Sequence, residues 1–543
     1  MAVVQPLVAD VAIVGAGLCG LALARSLHAQ GLSAVVVEAR ERLGGRVLTR
    51  RCEATGQALD MGPAWFWPDT EPRIAALLAE LGLASAPQHD PGDALWLTDP
   101  NREPERREET GGVHAGAYRI KGGAARLVEA LAATLPAGSV HPGSALRLLR
   151  DRGAWLELQL EEGQEGGRRM RLLRARHAVL ALPPRLVLER IAFDPPLPAA
   201  LVDALAATPT WMAAQAKAVT TYSRPFWRTA GHSGNAFVRH AQAMLGEVFD
   251  ASDDATGAGA LGGFVALGAA QRVNFRRGMP MLIESQLVQL YGAQAQQDGR
   301  QHVCDWADEP WTCSAADRAG QPEPPQADPA LRRPHWAGRL YFGGSESATH
   351  GAGHMEGALE SAARIARALA PVRAAAPGAA DAGDALSRFK ATVAARCAQA
   401  PLHYRQHLAR LLSCQQAEQL TQRALLATVE QVYSETLVAL DGLLPGLGLE
   451  RAGPVAAGRH ALTPVLLAAF DGWNGQLLSE ALAFNGGSCA LSNFPDEHQP
   501  DTVLRRAIAL DLAAAWREFA LELNGRLMAA STNADARRTA VPA

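Results

Sequence analysis

The sequence lacks the features that mark several large classes of protein. Its 543 residues carry a formal net charge of −3, so there is no basic field to attract nucleic acid or an anionic lipid surface. The seven cysteines form no CxxC pair and no cluster with histidine at metal-site spacing, so we expect no metal. Pairing them would leave one over, which favours a reducing compartment, and we expect a cytoplasmic protein.

Long apolar runs are also missing. Arg25 and His28 interrupt the longest candidate, so no stretch reaches the length that spans a membrane. The first residues have no basic segment, and their apolar run continues directly into glycines, which is typical of a buried strand and not of a signal peptide. Hydrophobic residues make up 48% and charged residues 20%, as in an ordinary globular protein, and the length predicts roughly three or four domains.

The first forty residues have the pattern of a strand, a helix and a second strand. Residues 10–15 and 33–38 are short β-branched runs suited to buried strands, and residues 21–30 carry leucine and alanine at helical spacing before Gly31. Together they predict a βαβ unit.

A glycine motif with GxGxxG spacing, Gly15-Ala-Gly17-Leu-Cys-Gly20, lies between the first strand and the helix. Gly15 permits a tight turn, Gly17 lets the backbone approach a pyrophosphate, and Gly20 allows close packing of helix on strand. The helix N-terminus would then face the phosphates. Glu38, 18 positions after Gly20, can accept hydrogen bonds from a ribose, although it could also be a solvated charge at a strand end. The pattern predicts a dinucleotide site.

The residues that follow, Glu38 to Arg46, resemble the ExxxxxGGR segment of the FAD-dependent flavin amine oxidases (monoamine and polyamine oxidase-like). Further blocks resemble that family in the same order along residues 8–370: Leu59 to Trp65, Ile120 to Gly123, Ala178 to Pro184 with Phe193 to Pro196, Ser223 to Trp227, Phe342 to Glu346, and Gly353 to Ala358.

The resemblance implies an α/β fold in which a Rossmann-like FAD-binding domain is interleaved with an α+β substrate domain. It also leaves a C-terminal helical extension. The expected boundaries are 8–72, 118–195 and 335–370 for the FAD-binding domain, 73–117 and 196–330 for the substrate domain, 371–384 for a linker, and 385–530 for the helical region.

The resemblance also implies the cofactor and its contacts. We expect FAD, held non-covalently. The residues expected to bind it are Gly15, Gly17, Gly20, Glu38, Arg40, Gly45, Arg46, Gly62, Val140, Trp306, Gly344, Glu346 and Met355.

Lys217 is the expected catalytic residue. It stands in an otherwise apolar strand, which favours burial beside a polar group, and it resembles the lysine that the family places near flavin N5 to hold a water. A lysine whose pKa is lowered by burial could activate water for imine hydrolysis or assist the reaction of reduced flavin with oxygen. The alternative is an edge-strand lysine that points to solvent.

The expected substrate pocket departs from the family pattern at two positions. His354 stands where better-known amine oxidases have an aromatic wall, and it is either a catalytic or hydrogen-bonding group or a space-filling histidine. Ala316 falls near the second wall, so the aromatic cage is absent or rebuilt. Cys313 lies two residues before the point where some members attach the flavin, and we expect no thioether there. Trp65 and Trp67 complete the expected pocket. Residues 63–67 hold three aromatics and no arginine, which favours an apolar or cationic amine over an amino acid.

The helical region has two open interpretations. One is a lid over the substrate side, with Trp473 and Phe484 as pocket or interface contacts. The other is a module for oligomerisation, in a homodimer for example, or for docking. Overall the sequence predicts oxidation of a small amine to an imine, then an aldehyde or ketone, with O2 reduced to hydrogen peroxide. The alternatives are a dehydrogenase or desaturase with another electron acceptor, and a partner-binding protein that keeps FAD for structure.

Overall fold

The computed structural model describes residues 7–108, 112–163, 169–253, 255–320, 324–370, 382–413, 419–447, 449, 454–455, 459–486, 491, 495–498 and 500–539. Its strands are, in chain order, β1 (Leu7–Val14), β2 (Ala34–Val37), β3 (Thr49–Arg51), β4 (Ala58–Asp60), β5 (Ser85–Pro87), β6 (Asp93–Leu97), β7 (Glu105–Arg107), β8 (Tyr118–Ile120), β9 (Val140–His141), β10 (Ser144–Asp151), β11 (Leu156–Glu162), β12 (Arg169–Leu180), β13 (Ala192–Asp194), β14 (Ala216–Tyr222), β15 (His232–Val238), β16 (Leu245–Asp250), β17 (Gly259–Val265), β18 (Arg300–Asp305), β19 (Leu340–Phe342), β20 (Pro454–Val455) and β21 (Arg459–His460).

The α-helices are, in the same order, α1 (Leu18–Ala29), α2 (Pro72–Glu80), α3 (Ala125–Ala133), α4 (Pro184–Arg190), α5 (Ala199–Ala207), α6 (Phe226–Thr229), α7 (Ala269–Phe275), α8 (Met279–Tyr291), α9 (Ala315–Ala319), α10 (Pro329–Arg332), α11 (Met355–Leu369), α12 (Ala382–Ser413), α13 (Leu420–Leu443), α14 (Thr463–Leu467), α15 (Trp473–Gly486), α16 (Pro495–His498) and α17 (Thr502–Thr539).

A mixed sheet organises the dinucleotide-binding part. Its strands run in the order β13-β10-β11-β12-β1-β2-β9, and β19 also pairs with β12. β1 is parallel to both β2 and β12, which places the ends of these strands at one edge. α1 and α11 pack on this sheet through a shared apolar core that includes Leu21, Leu27 and Ile365. The strands come from three separated stretches of chain, and the predicted α/β class is confirmed.

A second sheet carries the residues of the expected substrate domain. Its order is β18-β14-β17-β16-β15-β6-β7, so β14 lies between β18 and β17. α8 packs on one face of this sheet through Ile283 and Leu287, in a core that also contains Ala216 and Ala218. Because side chains alternate along a strand, Lys217 projects from the opposite face.

The element boundaries differ from expectation by a few residues, for local reasons. β1 ends at Val14 and not at residue 15, because Gly15 has φ of +103°, outside the strand region. β12 ends at Leu180, before the prolines at 183 and 184, and Pro184 begins α4.

The chain divides into two compact units, residues 1–371 and 372–543. Most of the expected linker, residues 371–381, lies outside the described residues, while 382–384 already belong to α12. The remaining expected domain boundaries stay predictions.

The second unit is helical, as the sequence predicts, and has its own core. Tyr433 stacks on Phe519 with ring centroids 4.5 Å apart, and Phe470 and Trp473 pack around this pair. Buried Glu497 accepts hydrogen bonds from the backbone N–H groups of Leu420 and its neighbour at the start of α13. Trp473 therefore contributes to the core of this unit.

Two kinds of feature, a membrane-spanning helix and a cluster of metal ligands, are absent from the described residues. None of their helices is both long enough and apolar enough for a membrane span. No group of three or more histidine, cysteine or carboxylate side chains among them is arranged to hold a metal ion.

Candidate active site

The glycine loop has the geometry that its spacing predicts. Gly20 lies against the turn, since a Cβ atom there would stand 2.0 Å from the carbonyl oxygen of Gly15. Gly17 is the N-cap of α1, and a Cβ atom there would meet nothing within 4 Å. Gly17 also bridges to Gly44, and a Cβ on Gly45 would lie 3.5 Å from the Cα of Gly17. Open space thus lies beside the backbone at the N-terminus of α1.

Glu38 is held at the end of β2 by backbone amides. Its carboxylate accepts hydrogen bonds from the N–H of Ala16, at 2.9 Å, and from the N–H of Arg40, at 3.0 Å. The side chain is buried. Val140 lies on β9, opposite Val36 in the register with β2, so it flanks the same strand. These contacts fix the carboxylate beside the glycine loop.

The Arg40 guanidinium contacts two side chains from a distant part of the chain. It donates to Glu309 Oε2, at 3.0 and 3.1 Å, and to Thr312 Oγ1, at 2.7 Å. Arg40 also lines a cleft of about 690 Å³, together with Arg42 and Trp311. Arg40 therefore joins the end of β2 to the loop after β18, and its predicted contact with cofactor stays a prediction.

Half-buried Arg46 and buried Glu346 form an ion pair from distant parts of the chain. Arg46 Nη1 lies 2.6 Å from Glu346 Oε1, and Arg46 Nη2 donates to Ser345 Oγ at 3.2 Å. Glu346 Oε2 is buried and has no hydrogen-bond partner among the described residues. Gly344, just before, has φ of +122°, which only glycine adopts without strain.

The residues present fit a dinucleotide cofactor. The N-terminus of α1 borders open space at Gly17, where a phosphate would be favoured by the backbone amides and the helix dipole. The unpartnered oxygen of Glu346 can accept a hydrogen bond from a hydroxyl group. The same loop contains Gly15 and Gly20, and Glu38 and Gly45 lie beside it. Met355, at the start of α11, is buried in the adjoining core.

Lys217 is buried on β14, and its Nζ donates to the carbonyl oxygen of Gly62 at 3.0 Å. A side chain at Gly62 would require the backbone to shift, since a Cβ there would lie 2.0 Å from the carbonyl oxygen of Arg46. Burial lowers the pKa of Lys217 to about 7, against an attraction to Asp60 that raises it. The amine can therefore exchange a proton near neutral pH.

Aromatic rings surround the Lys217 amine. Its Nζ lies 5.8, 5.2 and 5.7 Å from the ring centres of Trp65, Phe249 and Phe264. Trp306 lies in the same cluster and donates from Nε1 to the carbonyl oxygen of Met61 at 3.0 Å. The structure thus brings together Lys217, Gly62, Trp65 and Trp306, and these rings shield the amine from bulk solvent.

His354 forms a second polar centre near Trp67. Its Nδ1 lies 2.8 Å from Glu71 Oε1, and the other Glu71 oxygen accepts from the backbone N–H of Trp67 at 2.9 Å. A carboxylate only accepts, so Nδ1 carries the hydrogen and Nε2 is left as an acceptor in the neutral ring. The imidazole stacks on Trp211, with centroids 4.9 Å apart and planes 15° apart. The ring centroid of Trp67 lies 6.4 Å from that of His354.

The stacking of His354 on Trp211 decides the shape of the pocket wall that the sequence predicts at His354. Two rings in direct contact leave no room for an amine between them, so they act as one wall and not as the two sides of a cage. The segment from Gly62 to Trp67 joins this wall to Lys217, because Trp65 points to the lysine and Trp67 to the histidine.

Ala316 and Cys313 lie apart from these centres in the contacts that the structure describes. Ala316 is exposed on the short helix α9, whereas Cys313 is buried and its Sγ contacts the carbonyl oxygen of Ser314 at 3.5 Å. Burial raises the pKa of the Cys313 thiol to about 11. The predicted pocket role of Ala316 stays a prediction.

Sequence reasoning missed several residues of the site. Glu71 and Trp211, which position His354, lie in segments with no recognisable motif. His114, stacked on Trp65 at 4.5 Å, also lacked a signal. Phe249 and Phe264 could have been found by aligning the strands of the second sheet, but their register is set by tertiary pairing.

Comparison with known proteins agrees with this geometry. A family model described as flavin containing amine oxidoreductase matches residues 18–110 and 101–370, more than half of the chain. Flavin-containing amine oxidase B of Homo sapiens is 25% identical over 452 residues, covering 66% of this chain and 86% of that protein. Putrescine oxidase of Kocuria rosea is 25% identical over 410 residues, covering 56% and 84%.

Solved structures show the same fold. A putrescine oxidase structure with putrescine bound superposes with a TM-score of 0.55 at 23% identity, covering 67% of this chain and 99% of that one. Cyclohexylamine oxidase from Brevibacterium oxydans IH-35A gives 0.54 at 22% identity, covering 67% and 98%. The chain therefore belongs to the flavin-containing amine oxidoreductases, and its cofactor is FAD.

Proposed function

We propose that this protein is an amine oxidase whose chemistry takes place beside Lys217 and whose electron acceptor is O2. The observation that carries the proposal is the placement of Lys217, buried within an aromatic cluster and bonded to the carbonyl oxygen of Gly62. FAD, when bound, supplies the acceptor for the two electrons and the hydrogen that leave the carbon bearing nitrogen.

The aromatic cluster positions the substrate and shields it from bulk solvent. Trp65, Phe249 and Phe264 form an apolar surface next to Lys217, where a neutral amine is favoured over an ammonium ion. A neutral amine has the nitrogen lone pair that its oxidation to an imine requires. Holding it in one orientation lowers the entropic part of the barrier.

Lys217 handles protons and water after the oxidation. With a pKa of about 7, its neutral form can take a proton from a water that attacks the imine carbon, giving the aldehyde or ketone and ammonia. Its charged form can stabilise negative charge as O2 takes up two electrons and two protons to become hydrogen peroxide. His354 offers Nε2 as a hydrogen-bond acceptor to the substrate nitrogen, with Glu71 holding the ring.

The substrate class is an apolar or cationic amine, with FAD held non-covalently. Residues 63–67 bring aromatic rings and no guanidinium to the site, so there is no clamp there for a substrate carboxylate. Similar proteins are an amine oxidase B and a putrescine oxidase by name, which suits this class. The buried, hydrogen-bonded thiol of Cys313 disfavours a thioether.

The test uses the purified holoprotein and a panel of aryl-alkyl amines, diamines and L-amino acids. Mixed anaerobically, an amine substrate is expected to bleach the flavin absorbance, and admitted O2 to restore it with hydrogen peroxide formed in equal amount. Bleaching without rapid recovery in O2 would indicate a dehydrogenase. No bleaching by any amine would contradict the proposal, and turnover of L-amino acids alone would overturn the substrate class.

A further inference from the structure

Helix α17 has apolar side chains on two opposite faces. The inner face packs into the core of the second unit, and its buried members are Ile508, Leu512, Ala515, Phe519 and Leu523. On the outer face, Val503, Leu510 and Leu521 are 73%, 64% and 65% exposed, which places them among the most exposed large apolar side chains of the described residues. Exposed apolar side chains gathered on one face are typical of a surface that associates with a partner.

The outer side chains have the spacing of a coiled-coil seam. They follow one another at alternating intervals of four and three residues, and we call them the outer stripe: Val503, Ala507, Leu510, Ala514, Arg517 and Leu521. Side chains at these intervals form one line along a helix, and two such lines interlock when two helices pack side by side. The two alanines are small and let the helices approach closely. The outer stripe therefore suits a partner that presents the same line.

The charges beside the outer stripe differ between its two edges. Because each residue turns a helix by about 100°, Arg506 and Arg517 lie toward one edge, and Asp511 and Glu518 lie toward the other. In the described part of the chain, Arg506, Arg517 and Glu518 form no ion pair. Asp511 accepts a hydrogen bond from Gln422 of α13 at 2.6 Å. Both arginines and one carboxylate are therefore available to a partner.

Glu518 also faces a like charge in its own unit. Partial desolvation, together with the negative charge of Glu518, raises the pKa of Glu430 on α13. A guanidinium brought beside Glu518 by a partner would offset this repulsion. The acidic edge of the outer stripe therefore suits a partner that has a basic edge.

The charges also set the direction in which two copies of α17 can pair. When the helices run parallel, opposite edges meet, so Arg506 lies beside Asp511 of the second copy, and Arg517 lies beside Glu518 of the second copy. The long side chain of Arg517 reaches from the seam to that edge. When the helices run antiparallel, like edges meet and the acidic residues of the two copies oppose one another. The helix therefore complements itself in the parallel arrangement.

The outer stripe lies outside the part of the chain that the similar proteins share. The family match ends at residue 370, and the putrescine oxidase structure covers 67% of this chain although 99% of that chain is matched. From Val503 to Leu521 the stripe is about 27 Å long. Contact along one helix of this length gives an interface at the lower end of known sizes, so we expect a Kd in the micromolar range.

We propose that the outer stripe of α17 is a homodimer interface, in which two copies of this chain pair their helices in parallel. Val503, Leu510 and Leu521 form the apolar seam, and the arginines of each copy pair with the acidic edge of the other. This inference is independent of the proposed amine oxidation, because Lys217 and its surroundings belong to the first unit.

The experiment measures the mass of the full-length, FAD-loaded protein by sedimentation between about 0.5 and 100 µM, a range that brackets a micromolar Kd. The average mass is expected to rise with concentration from 57.4 kDa toward twice that value. Leu510→Lys places a charge in the seam, and its Kd is expected to be about tenfold higher or more. The matched control is Leu402→Lys, at a leucine of α12 that is 56% exposed, and it is expected to keep the wild-type Kd.

Two results of this measurement would overturn the inference. One is a wild-type mass that stays at that of a single chain over the whole range. The other is a Kd of Leu510→Lys equal to that of the wild-type protein, which would place the contact between copies elsewhere.

Exchanging charges tests the direction of pairing. Arg506→Asp and Asp511→Arg each set like charges against one another across a parallel interface, so each Kd is expected to rise about tenfold. An equal mixture of the two variants is expected to recover about the wild-type Kd, because each copy then presents the charge that the other requires.

This recovery cannot arise within one chain, since residues 506 and 511 are five positions apart and do not face each other on a helix. Circular dichroism of each variant checks that the helical content is retained. A mixture that stays as weakly associated as the single variants would overturn the parallel pairing.

Discussion

At the scale of single residues, the site depends on a lysine that is buried with no carboxylate in direct contact among the described residues. The Nζ of Lys217 donates to a carbonyl oxygen, and desolvation outweighs the attraction to Asp60 and lowers the pKa to about 7. The neutral amine dominates above that pH and the ammonium ion below it. Both forms are therefore available under ordinary conditions.

The pH dependence of the reaction with O2 follows from this pKa. Charge on Lys217 is present below about pH 7 and lost above it, and positive charge favours electron transfer to O2. We expect the second-order rate constant for reoxidation of the reduced protein to fall as pH rises through about 7. Stopped-flow mixing of reduced protein with oxygenated buffer measures this rate constant. A range of about pH 5.5–9 extends about two pH units to either side of the pKa.

Replacing the lysine should separate the two halves of the cycle. Lys217→Met keeps the length and apolar character of the side chain and removes the charge. Reoxidation is expected to slow by about tenfold or more and to lose its inflection near pH 7, because one charge-stabilising group contributes on this order. Anaerobic reduction by a good amine should change much less. Equal loss in both steps would show that Lys217 acts mainly by shaping the pocket.

At the scale of elements, the turn from β1 into α1 shows how two glycines of one motif serve different ends. Gly20 is needed by the protein itself, because its Cα lies against the carbonyl of Gly15. Gly17 borders open space, so the folded chain without cofactor has room for a side chain there. The motif therefore combines a packing requirement with a binding requirement.

Substitutions at these two glycines should have opposite signatures. Gly20→Ala places a Cβ 2.0 Å from a backbone oxygen and should destabilise the cofactor-free protein by about 1–3 kcal/mol. Gly17→Ser introduces a favoured N-cap residue, so the cofactor-free protein should keep its melting temperature. The serine fills space at the phosphate site, and we expect FAD affinity to fall about tenfold or more.

Calorimetry of the cofactor-free variants and a fluorescence titration with FAD test this pair. If Gly17→Ser bound FAD as tightly as the wild-type protein, the open space at Gly17 would not be the phosphate site. If Gly20→Ala kept the wild-type stability, the backbone at this turn would be free to shift.

At the scale of the whole molecule, the family match and the residues expected to bind the cofactor lie within the first unit. The match ends at residue 370, and the second unit begins at 372 with a core of its own. Side chains such as Tyr433 and Trp473 are buried in that core. The helical unit therefore buries its apolar side chains in its own core.

Removing the second unit tests its role. A chain that ends at Ala375 is expected to bind FAD with its usual spectrum, because Gly17, Glu38 and Glu346 all belong to the first unit. Absorbance and FAD release on denaturation measure this. A changed half-saturating amine concentration with an unchanged number of subunits, measured by light scattering, would favour a lid. A changed number of subunits with an unchanged half-saturating concentration would favour an oligomerisation module. Failure to bind FAD would show that the two units fold together.

The extent to which the site was predictable differs from residue to residue. Gly15, Gly20 and Glu38 could be predicted because a βαβ turn around phosphates imposes local spacing, and spacing is visible in a sequence. Lys217 could be predicted as buried because its strand is otherwise apolar. Glu71, Trp211 and His114 could not, since each acts on a residue far away in the chain and carries no pattern of its own.

The sequence by itself determined the class of fold, the dinucleotide loop, the family and the helical character of the C-terminal region, because these follow from local periodicity and from motifs in a fixed order. Only the tertiary structure decided how Lys217 is bonded and that His354 stacks on Trp211 in a single wall. Those facts depend on strand register and on packing between distant segments. A single sequence does not encode these in any short stretch.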